Sequence, residues 1–470
     1  MTEFAAAQAP KLGGLVGDRQ FYKKVFMVAV PIMVQNGITN FVGLLDNIMV
    51  GQVGTEQMSG VAIANQLIFI FNLCIFGAVA GAGILGAQFY GSGNHEGIKY
   101  TLRFKLIGGI VLTAIFIGIL LFKGDALIQL FLHKGDGEGD LEATLGFGMK
   151  YLRIMVIGLL PFAFTQGYSG TLRETGQTVV PMTAGIIAVF VNLVFNYILI
   201  FGKLGAPALG VAGAAVATVL SRFVEFIIVA VWTHRNEEKN PFIKGALRSL
   251  HIPAPLVKQI LVVGLPLFVN EVLWSCGMTF MNQCYSVRGL EVVAALNIAM
   301  TIGNLFNVVF LSLGNAVGII IGQLLGAGKL DQAKQEDRQL IAFSVFCCLI
   351  TGSMMIAVSS VFPQLYNTEL MVKELATQLI FILGCCQPIF GFVHATYFTL
   401  RAGGKAIVTF LFDSAYMWVV SIPLVFITSR LTALPIQLVF LTAQLSDLIK
   451  CVIGFILVKK GAWIKKIVNE

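Results

Sequence analysis

Long stretches without a single Asp, Glu, Lys or Arg constrain this chain more than any other feature of its sequence. Nine uncharged stretches cover 25–45, 57–94, 106–122, 154–172, 175–202, 204–221, 292–328, 339–368 and 375–400, and three stretches with few charges cover 259–285, 406–429 and 433–458. About 20 helical residues cross the hydrocarbon core of a bilayer, so each stretch is long enough for one crossing. The sequence therefore predicts an all-α integral membrane protein with twelve transmembrane helices.

The amount and the distribution of charge support a membrane protein. Charged residues make up only 12% of the 470 residues, too few to cover a soluble protein. The net charge of +8 does not predict a nucleic-acid partner, because 22 of the 32 Lys and Arg residues lie in the tails and in every second connection, against seven in the opposite connections. Basic residues concentrate on the cytoplasmic side. We expect a multi-pass protein of the cell (inner) membrane with both termini in the cytoplasm.

An internal repeat divides the chain into two halves. When the second half is laid on the first, Pro31 falls on Pro266 and Gly91 on Gly326 without a gap, and a slightly shorter shift places Thr171–Arg173 on Thr399–Arg401. A repeat that starts on the same side of the membrane predicts two pseudo-symmetric six-helix lobes related by an axis along the membrane normal. The predicted divisions are a tail at 1–24, an N-lobe at 25–233, a cytoplasmic linker at 234–258, a C-lobe at 259–459 and a tail at 460–470.

Polar residues occupy matching positions of the two lead helices. Asn36 and Asn40 of helix 1 are one turn apart, and the shift that aligns the two prolines places Glu271 and Ser275 at the same positions of helix 7. Helix 8 adds Asn304. Polar side chains inside a bilayer usually face a water-filled pathway, so we predict that these residues line one. The alternative is hydrogen bonding between helices, worth about 0.6–2 kcal/mol per contact.

Four ionisable residues inside the predicted spans are candidates for coupling transport to an ion. Asp46, Glu271 and Asp413 lie in helices 1, 7 and 11 with no basic residue within one turn along the sequence. Such carboxylates take up protons or bind cations. His394 is the only histidine deep within an apolar stretch, and a bond to a backbone carbonyl is its structural alternative. For Asp46 the alternative is hydration near the outer surface.

Two arginines mark matching turns of the repeat. Arg173 and Arg401 end helices 4 and 10, and Gly176 and Gly404 follow them at the same spacing. We predict that the guanidinium groups bond to carbonyls at the helix ends and anchor these turns. The eight cysteines show no metal-ligand spacing, and no cofactor is expected.

Several motifs, in this order and spacing, resemble the multidrug and toxic compound extrusion (MATE) antiporters of prokaryotes over nearly the whole chain. They are VPIMVQNGITNFVGLLDNIMVGQVG (30–54), GAQFYGSGN (86–94), LRETGQTVVPM (172–182), IIIGQLLGAGK (319–329) and LRAGGK (400–405). The resemblance implies a secondary active efflux transporter that exports small organic, often cationic, compounds by alternating access. The implied coupling ion is sodium or a proton that flows inward, and a monomer is expected.

The resemblance also implies roles for particular residues. Asp46 falls on the acidic position of the family's first helix, and Asn192 and Asn196 fall on a pair in helix 5. One branch has an aspartate at the second of these positions, where this chain has Asn196. Another branch binds its ion with acids of helices 7 and 10. Because helix 10 has no acid here, Glu271 and Asp413 are the predicted sodium ligands.

Two other functions compete with ion-coupled export. A flippase for lipid-linked or amphiphilic cargo would have the same architecture. An intramembrane enzyme is not predicted, because no nucleophile–base or metal-binding motif of such an enzyme occurs.

Overall fold

A computed structural model describes residues 14–129, 140–366 and 368–468. Within these ranges the side chains of six residues are not described: Val42, Leu44, Asn47, Ile48, Thr55 and Leu290. The predicted tails at 1–24 and 460–470 therefore lie partly outside the described residues.

Twelve long helices form the part of the chain that the structure describes, which confirms the predicted all-α membrane fold. They are α1 (Arg19–Gly51), α2 (Thr55–Gly91), α3 (His95–Gln129), α4 (Leu141–Glu174), α5 (Val179–Phe201) and α6 (Val211–Arg235), followed by α7 (Ala254–Ser286), α8 (Leu290–Gly326), α9 (Leu330–Val358), α10 (Leu370–Ala402), α11 (Ala406–Arg430) and α12 (Ile436–Lys459). Among the described residues, all of these except α1 are both long and apolar enough to cross a membrane.

Several helices extend beyond the uncharged stretches that predict them. α3 begins at His95 although its stretch begins at 106, and α9 begins at Leu330 although its stretch begins at 339. Charges are costly only in the hydrocarbon core, whereas the backbone hydrogen bonds that make a helix continue beyond it. Two helices are irregular: α4 contains a 3₁₀ turn at Val156–Gly158, and α11 contains π-helical stretches at Leu411–Ala415 and Met417–Ser421.

Packing groups the chain into two compact units. One unit is Val30–Cys276, and the other contains the residues up to Ala29 together with those from Gly277 onward. The divisions fall inside α1 and α7 and not in the 234–258 linker, so the first part of each lead helix groups with the other half of the sequence. The lobe boundaries at 233 and 259 remain a prediction from the repeat. Representative buried core residues are Phe71, Leu152 and Ala215 in the first unit and Ala299, Leu379 and Phe440 in the second.

The chain just before each lead helix is held by a polar side chain. In the unit Val30–Cys276, the Arg103 guanidinium of α3 donates to the carbonyls of Gly245, Ala246 and His251 at 3.0, 2.7 and 2.9 Å. An arginine fork suits such multiple bonding.

The other unit holds the chain before α1 in a comparable way. The Gln339 amide of α9 donates to the carbonyls of Gly14 and Val16 at 3.4 and 3.2 Å. The shift that places Pro31 on Pro266 also places Val16 on His251, so one acceptor of each contact lies at a matching position of the repeat, whereas the donors Arg103 and Gln339 are offset by one residue.

Glycines close the turns after α4 and α10, and the anchoring of these turns by the guanidinium groups remains a prediction. The carbonyls of Arg173 and Arg401 accept bonds from the backbone N–H groups of Gly176 and Gly404, whose positive φ angles of 82° and 68° close the turns. The Arg173 guanidinium instead donates to Gln35 Oε1 at 2.6 Å. The Arg401 guanidinium lies over aromatic rings of its own helix. These backbone bonds form because glycine adopts the left-handed conformation without strain.

Candidate functional site

A polar pocket surrounds Asp46 in the unit Val30–Cys276. Asn192 and Asn196 lie one turn apart on the same face of α5, and Thr218 faces them from α6. Asn196 Nδ2 donates to Asp46 Oδ1 at 2.6 Å and to Asn192 Oδ1 at 3.1 Å, and Asn192 Nδ2 donates to Thr218 Oγ1 at 3.3 Å. Both asparagines are buried. The structure thus brings together three of the predicted residues and adds Thr218.

The pocket lies within the helices and not at their ends. Asp46 is five residues before the end of α1 at Gly51, and Asn196 is five residues before the end of α5 at Phe201. At 1.5 Å per residue this is a depth of about 8 Å. Asp46 is only partly exposed, so a fully hydrated carboxylate does not describe it.

The Asn192 amide donates to an ionised Asp46 only with its nitrogen toward the carboxylate. With its amide oxygen and nitrogen exchanged, Asn192 Nδ2 lies 2.9 and 3.2 Å from the two oxygens of Asp46 and donates to them, and Asn196 then no longer donates to Asn192. An ionised carboxylate only accepts hydrogen bonds, whereas a protonated one also donates. The exchanged orientation therefore suits ionised Asp46, and the orientation with the amide oxygen toward Asp46 suits a protonated or cation-bound carboxylate.

A buried oxygen of the pocket has no donor. Asn196 is only 1% exposed, so water has little access to its side chain. Its Oδ1 nevertheless accepts no hydrogen bond from the atoms that the structure describes. Leaving such an oxygen unsatisfied costs about 1–3 kcal/mol. An oxygen in this condition beside a carboxylate is a suitable ligand for a hard cation, which prefers oxygen. The residues present therefore fit either a proton or sodium.

Sequence reasoning missed Thr218 and Tyr151. The Tyr151 hydroxyl of α4 donates to Asn65 Oδ1 of α2 at 3.1 Å. For Thr218, the sequence did contain a signal. Thr218, Arg222 and Glu225 of α6 are spaced at i, i+4 and i+7, so they form a polar face of that helix. Arg222 on this face also lies over the Phe162 ring at 5.0 Å.

A buried ion pair joins three helices of the same unit. Lys105 Nζ of α3 lies 2.6 Å from both oxygens of Glu174 at the end of α4 and donates to Thr171 Oγ1 at 3.0 Å. The Glu174 carboxylate packs against α2 at two glycines, because a Cβ on Gly83 would come within 2.8 Å of its oxygens and one on Gly86 would come closer still. The spacing of these glycines in the sequence is thus explained by the carboxylate that they accommodate.

The remaining predicted site residues are divided between the two units. Glu271 and Ser275 of α7 belong to Val30–Cys276 together with Asn36 and Asn40 of α1, whereas Asn304, His394 and Asp413 belong to the other unit. Asn36 and Asn40 precede Asp46 by ten and six residues, or about 15 and 9 Å along α1.

Asp413 has a basic neighbour that the sequence did not pair with it. Lys450 Nζ of α12 lies 3.5 Å from Asp413 Oδ1. A sodium site built from Glu271 and Asp413 remains a prediction. Among the described residues, no group of three or more His, Cys, Asp and Glu side chains is arranged to hold a metal ion.

Comparisons with known proteins agree with this architecture. A profile of the family described as MatE matches residues 31–198 and 266–427. "Probable multidrug resistance protein NorM" of Thermotoga maritima is 24% identical over 452 residues, which are 95% of this chain and 94% of that protein. "Probable multidrug resistance protein YoeA" of Bacillus subtilis is 27% identical over 425 residues, which are 88% of each chain.

Solved structures share the fold. One, described as "Reverse polarity of binding pocket suggests different function of a MOP superfamily transporter from Pyrococcus furiosus Vc1 (DSM3638)", has a TM-score of 0.84 at 21% identity and covers 96% of this chain and 98% of its own. Another, "Outward-facing conformation of a multidrug resistance MATE family transporter of the MOP superfamily", has a TM-score of 0.85 at 21% identity and covers 96% of this chain and 97% of its own.

The buried pair predicts a pattern of stability changes. Glu174→Gln and Lys105→Met should each lower the free energy of unfolding by about 3–5 kcal/mol, because each leaves a buried charge without its partner. The double variant should lose less than the sum of the two. Thermal unfolding of the purified protein in detergent measures these differences.

The matched control is the exposed pair of Asp331 and Lys334 at the start of α9. The equivalent substitutions there should change stability by about 0–1 kcal/mol. Additive losses at Lys105 and Glu174 would show that the two charges do not stabilise each other.

Proposed function

The chain belongs to the MatE family, and from this premise we propose that it exports small organic compounds, cations above all, in exchange for protons or sodium ions that flow inward. The relatives named multidrug resistance proteins support this proposal, as does a fold in which eleven of the described helices could each cross a membrane. No described feature favours the alternative of a flippase for lipid-linked cargo.

The observation that carries the proposal is the pocket of Asp46. A carboxylate about 8 Å inside the helix ends loses much of its hydration, and its negative charge can be neutralised by one proton or one sodium ion. Asn196 donates to one carboxylate oxygen, and the neighbouring Asn192 amide would turn its nitrogen toward an ionised carboxylate and its oxygen toward a protonated one. The pocket therefore has one arrangement for the charged form and another for the neutralised form.

The arrival of the coupling ion changes contacts on three helices. In ionised Asp46, both asparagines of α5 donate to the carboxylate. When Asp46 takes up a proton, it donates to Asn192 Oδ1, and Asn192 Nδ2 turns to Thr218 on α6. The Thr218 hydroxyl donates to the Ala214 carbonyl at 3.0 Å, so a lone pair of its oxygen remains to accept this bond. Proton uptake on α1 is thus transmitted through α5 to α6.

Sodium would use a partly different set of oxygens in the same pocket. The ion would bind to an Asp46 oxygen, to Asn196 Oδ1 and to Thr218 Oγ1, which are the oxygen ligands that a hard cation prefers. Because both ions neutralise Asp46, either one drives the same change. We further propose a monomer in the cell membrane with both termini in the cytoplasm, which rests on the distribution of basic residues.

Labelling with an impermeant thiol reagent tests this orientation. Glu238, in the linker before α7, is exposed. In a version without the native cysteines, Glu238→Cys should react in inverted vesicles and stay unlabelled in intact cells. Labelling in intact cells would place the linker outside and contradict the orientation.

Asp46→Asn should remove the coupling of transport to the ion gradient. The substitution keeps the size and hydrogen-bonding capacity of the side chain and removes its charge. Accumulation of ethidium in inverted vesicles under an imposed proton or sodium gradient should fall by about 5–150-fold, the range that corresponds to a coupling free energy of about 1–3 kcal/mol.

The two gradients are imposed separately, so the same assay identifies the ion. The control is Asp331→Asn, because Asp331 is an acid of α9 whose side chain is 85% exposed. Full gradient-driven accumulation by folded Asp46→Asn protein would exclude this pocket as the coupling site.

A further inference from the structure

The first half of α7 carries an apolar groove that contains one basic side chain. The groove has a volume of about 640 Å³ and lies entirely within the unit Val30–Cys276. The residues that form most of its lining are Val257, Lys258, Leu261, Val262, Leu265 and Pro266. Among the described residues that line it, Lys258 alone is charged. A groove of this composition suits a ligand that joins an apolar chain to an anionic group.

The groove lies on the face of α7 that points away from α2. The backbones of Gly81 on α2 and Gly264 on α7 are so close that a Cβ on Gly81 would collide with Gly264. Leu267, one turn beyond Gly264 on the same face, is fully buried. The large apolar side chains of the groove face that remain exposed are Leu261, Val262 and Leu265. Packing against α2 therefore leaves this face of α7 for a lipid.

The length of the groove matches the depth of one leaflet. From Ala254, where α7 begins, to Pro266 is twelve residues, or about 18 Å of helix, and half of the hydrocarbon core is about 15 Å. Lys258 lies one turn from the start of α7, and a lysine of this kind extends its ammonium group toward the headgroups. Leu265 lies two turns deeper. The groove thus places a positive charge at headgroup level and apolar side chains at acyl-chain level.

The linker before α7 adds positive charge and no negative charge. Residues 239–270 contain four Lys and Arg residues and no Asp or Glu. Lys244 and Arg248 in the linker are exposed, as is Lys258. Basic residues that cluster beside a membrane-spanning helix attract the headgroups of anionic lipids.

Two large apolar side chains are exposed among these basic residues. Leu247 and Leu250 are 54% and 61% exposed, whereas Phe242 and Ile243 of the same linker are buried. The positive-inside rule accounts for lysines and arginines in this connection but not for leucines that point outward between them. Segments that combine exposed leucines with basic residues lie in the interfacial region of a bilayer. The linker therefore has the composition of a segment that touches lipid.

The backbone of the linker is fixed before any lipid binds. Arg103 of α3 donates to three linker carbonyls, which lie on both sides of Arg248 in the sequence. Binding to a segment that is already ordered loses less conformational entropy than binding to a flexible one. The basic side chains of the linker are thus presented from a preorganised backbone.

We propose that the groove and the linker bind one anionic phospholipid of the cytoplasmic leaflet. Its phosphate lies among Lys258, Lys244 and Arg248, and one acyl chain lies along the groove. The lipid is a bound ligand and not the exported compound, so the proposal goes beyond export and does not depend on Asp46. The choice of leaflet rests on the proposed orientation, which the labelling of Glu238→Cys tests separately.

The corresponding part of α1 differs from the groove. The repeat places Lys23 on Lys258 and Phe26 on Leu261. The Phe26 ring packs edge-on against Phe343 of α9, with 5.6 Å between centroids. The side chain that corresponds to Leu261 therefore contacts a neighbouring helix. Lys23 thus provides a matched basic residue at the start of a lead helix, without the linker and the groove of α7.

Contact quenching by brominated lipid tests the proposal. In a version of the full chain without native cysteines, Val262→Cys carries a bimane fluorophore, and the protein is placed in vesicles of phosphatidylcholine and phosphatidylglycerol. Bromine on the acyl chains of one lipid quenches the fluorophore on contact. At equal fractions, brominated phosphatidylglycerol should quench more than brominated phosphatidylcholine. Equal quenching by the two lipids would overturn the proposal.

Removal of the lysine in the groove should reduce this preference. Lys258→Gln should lower the affinity for phosphatidylglycerol relative to phosphatidylcholine about fivefold, which corresponds to about 1 kcal/mol for one basic residue. The matched control is Lys23→Gln, because Lys23 is exposed and its loss removes the same charge from the chain. The control should keep the preference. An equal decrease in both variants, or none in Lys258→Gln, would contradict a site at Lys258.

A soluble headgroup analogue tests the role of the acyl chain. Glycerol 3-phosphate has the phosphate but no chain to fill the groove, so millimolar concentrations should leave the quenching by brominated phosphatidylglycerol unchanged. Loss of the quenching would show that the phosphate alone supplies the affinity, and it would overturn the assignment of the groove to a lipid.

Discussion

The free-energy cost of removing a charge from water determines where this membrane protein can place ionised side chains inside its spans. A buried ionised group is stable only beside groups that replace its lost hydration. Lys105 lies between Glu174 and Thr171, and Lys450 lies near two carboxylates. Apart from that of Lys450 with Asp447 on its own helix, each of these contacts also joins separate helices. The few charges inside the spans are therefore points at which the helices of a unit are fixed to one another.

The two halves of the repeat share the backbone geometry of their turns but differ in their charged residues. The turns at Gly176 and Gly404 close in the same way, whereas Thr171 bonds to Lys105 and its counterpart Thr399 bonds to Asp337. The repeat places Met281 at the position that matches Asp46, and Met281 is buried in the hydrophobic core. The pocket of Asp46 thus has no acidic counterpart on α7.

The number of helices could be predicted because the bilayer fixes the length of an apolar span. Helix ends could not, because α3 and α9 continue into sequence that carries charge. Asp46, Asn192 and Asn196 were predicted from a family resemblance, and the structure brings them together. Thr218 gave a weaker signal, because a helical threonine usually bonds to its own backbone, as Thr218 does with Ala214. The contact of Asp413 with Lys450 depends on how α11 packs against α12, which no local pattern specifies.

Because the coupling ion neutralises the buried negative charge of Asp46, which would attract an organic cation, we expect the ion and the exported cation to compete through Asp46. Equilibrium binding of tetraphenylphosphonium to the purified full chain, over a range of pH and of sodium concentration, tests this claim most directly. The account predicts weaker binding at low pH or at high sodium, and a loss of most of this dependence in Asp46→Asn. Binding to the unaltered chain that is equally tight under all of these conditions would contradict it.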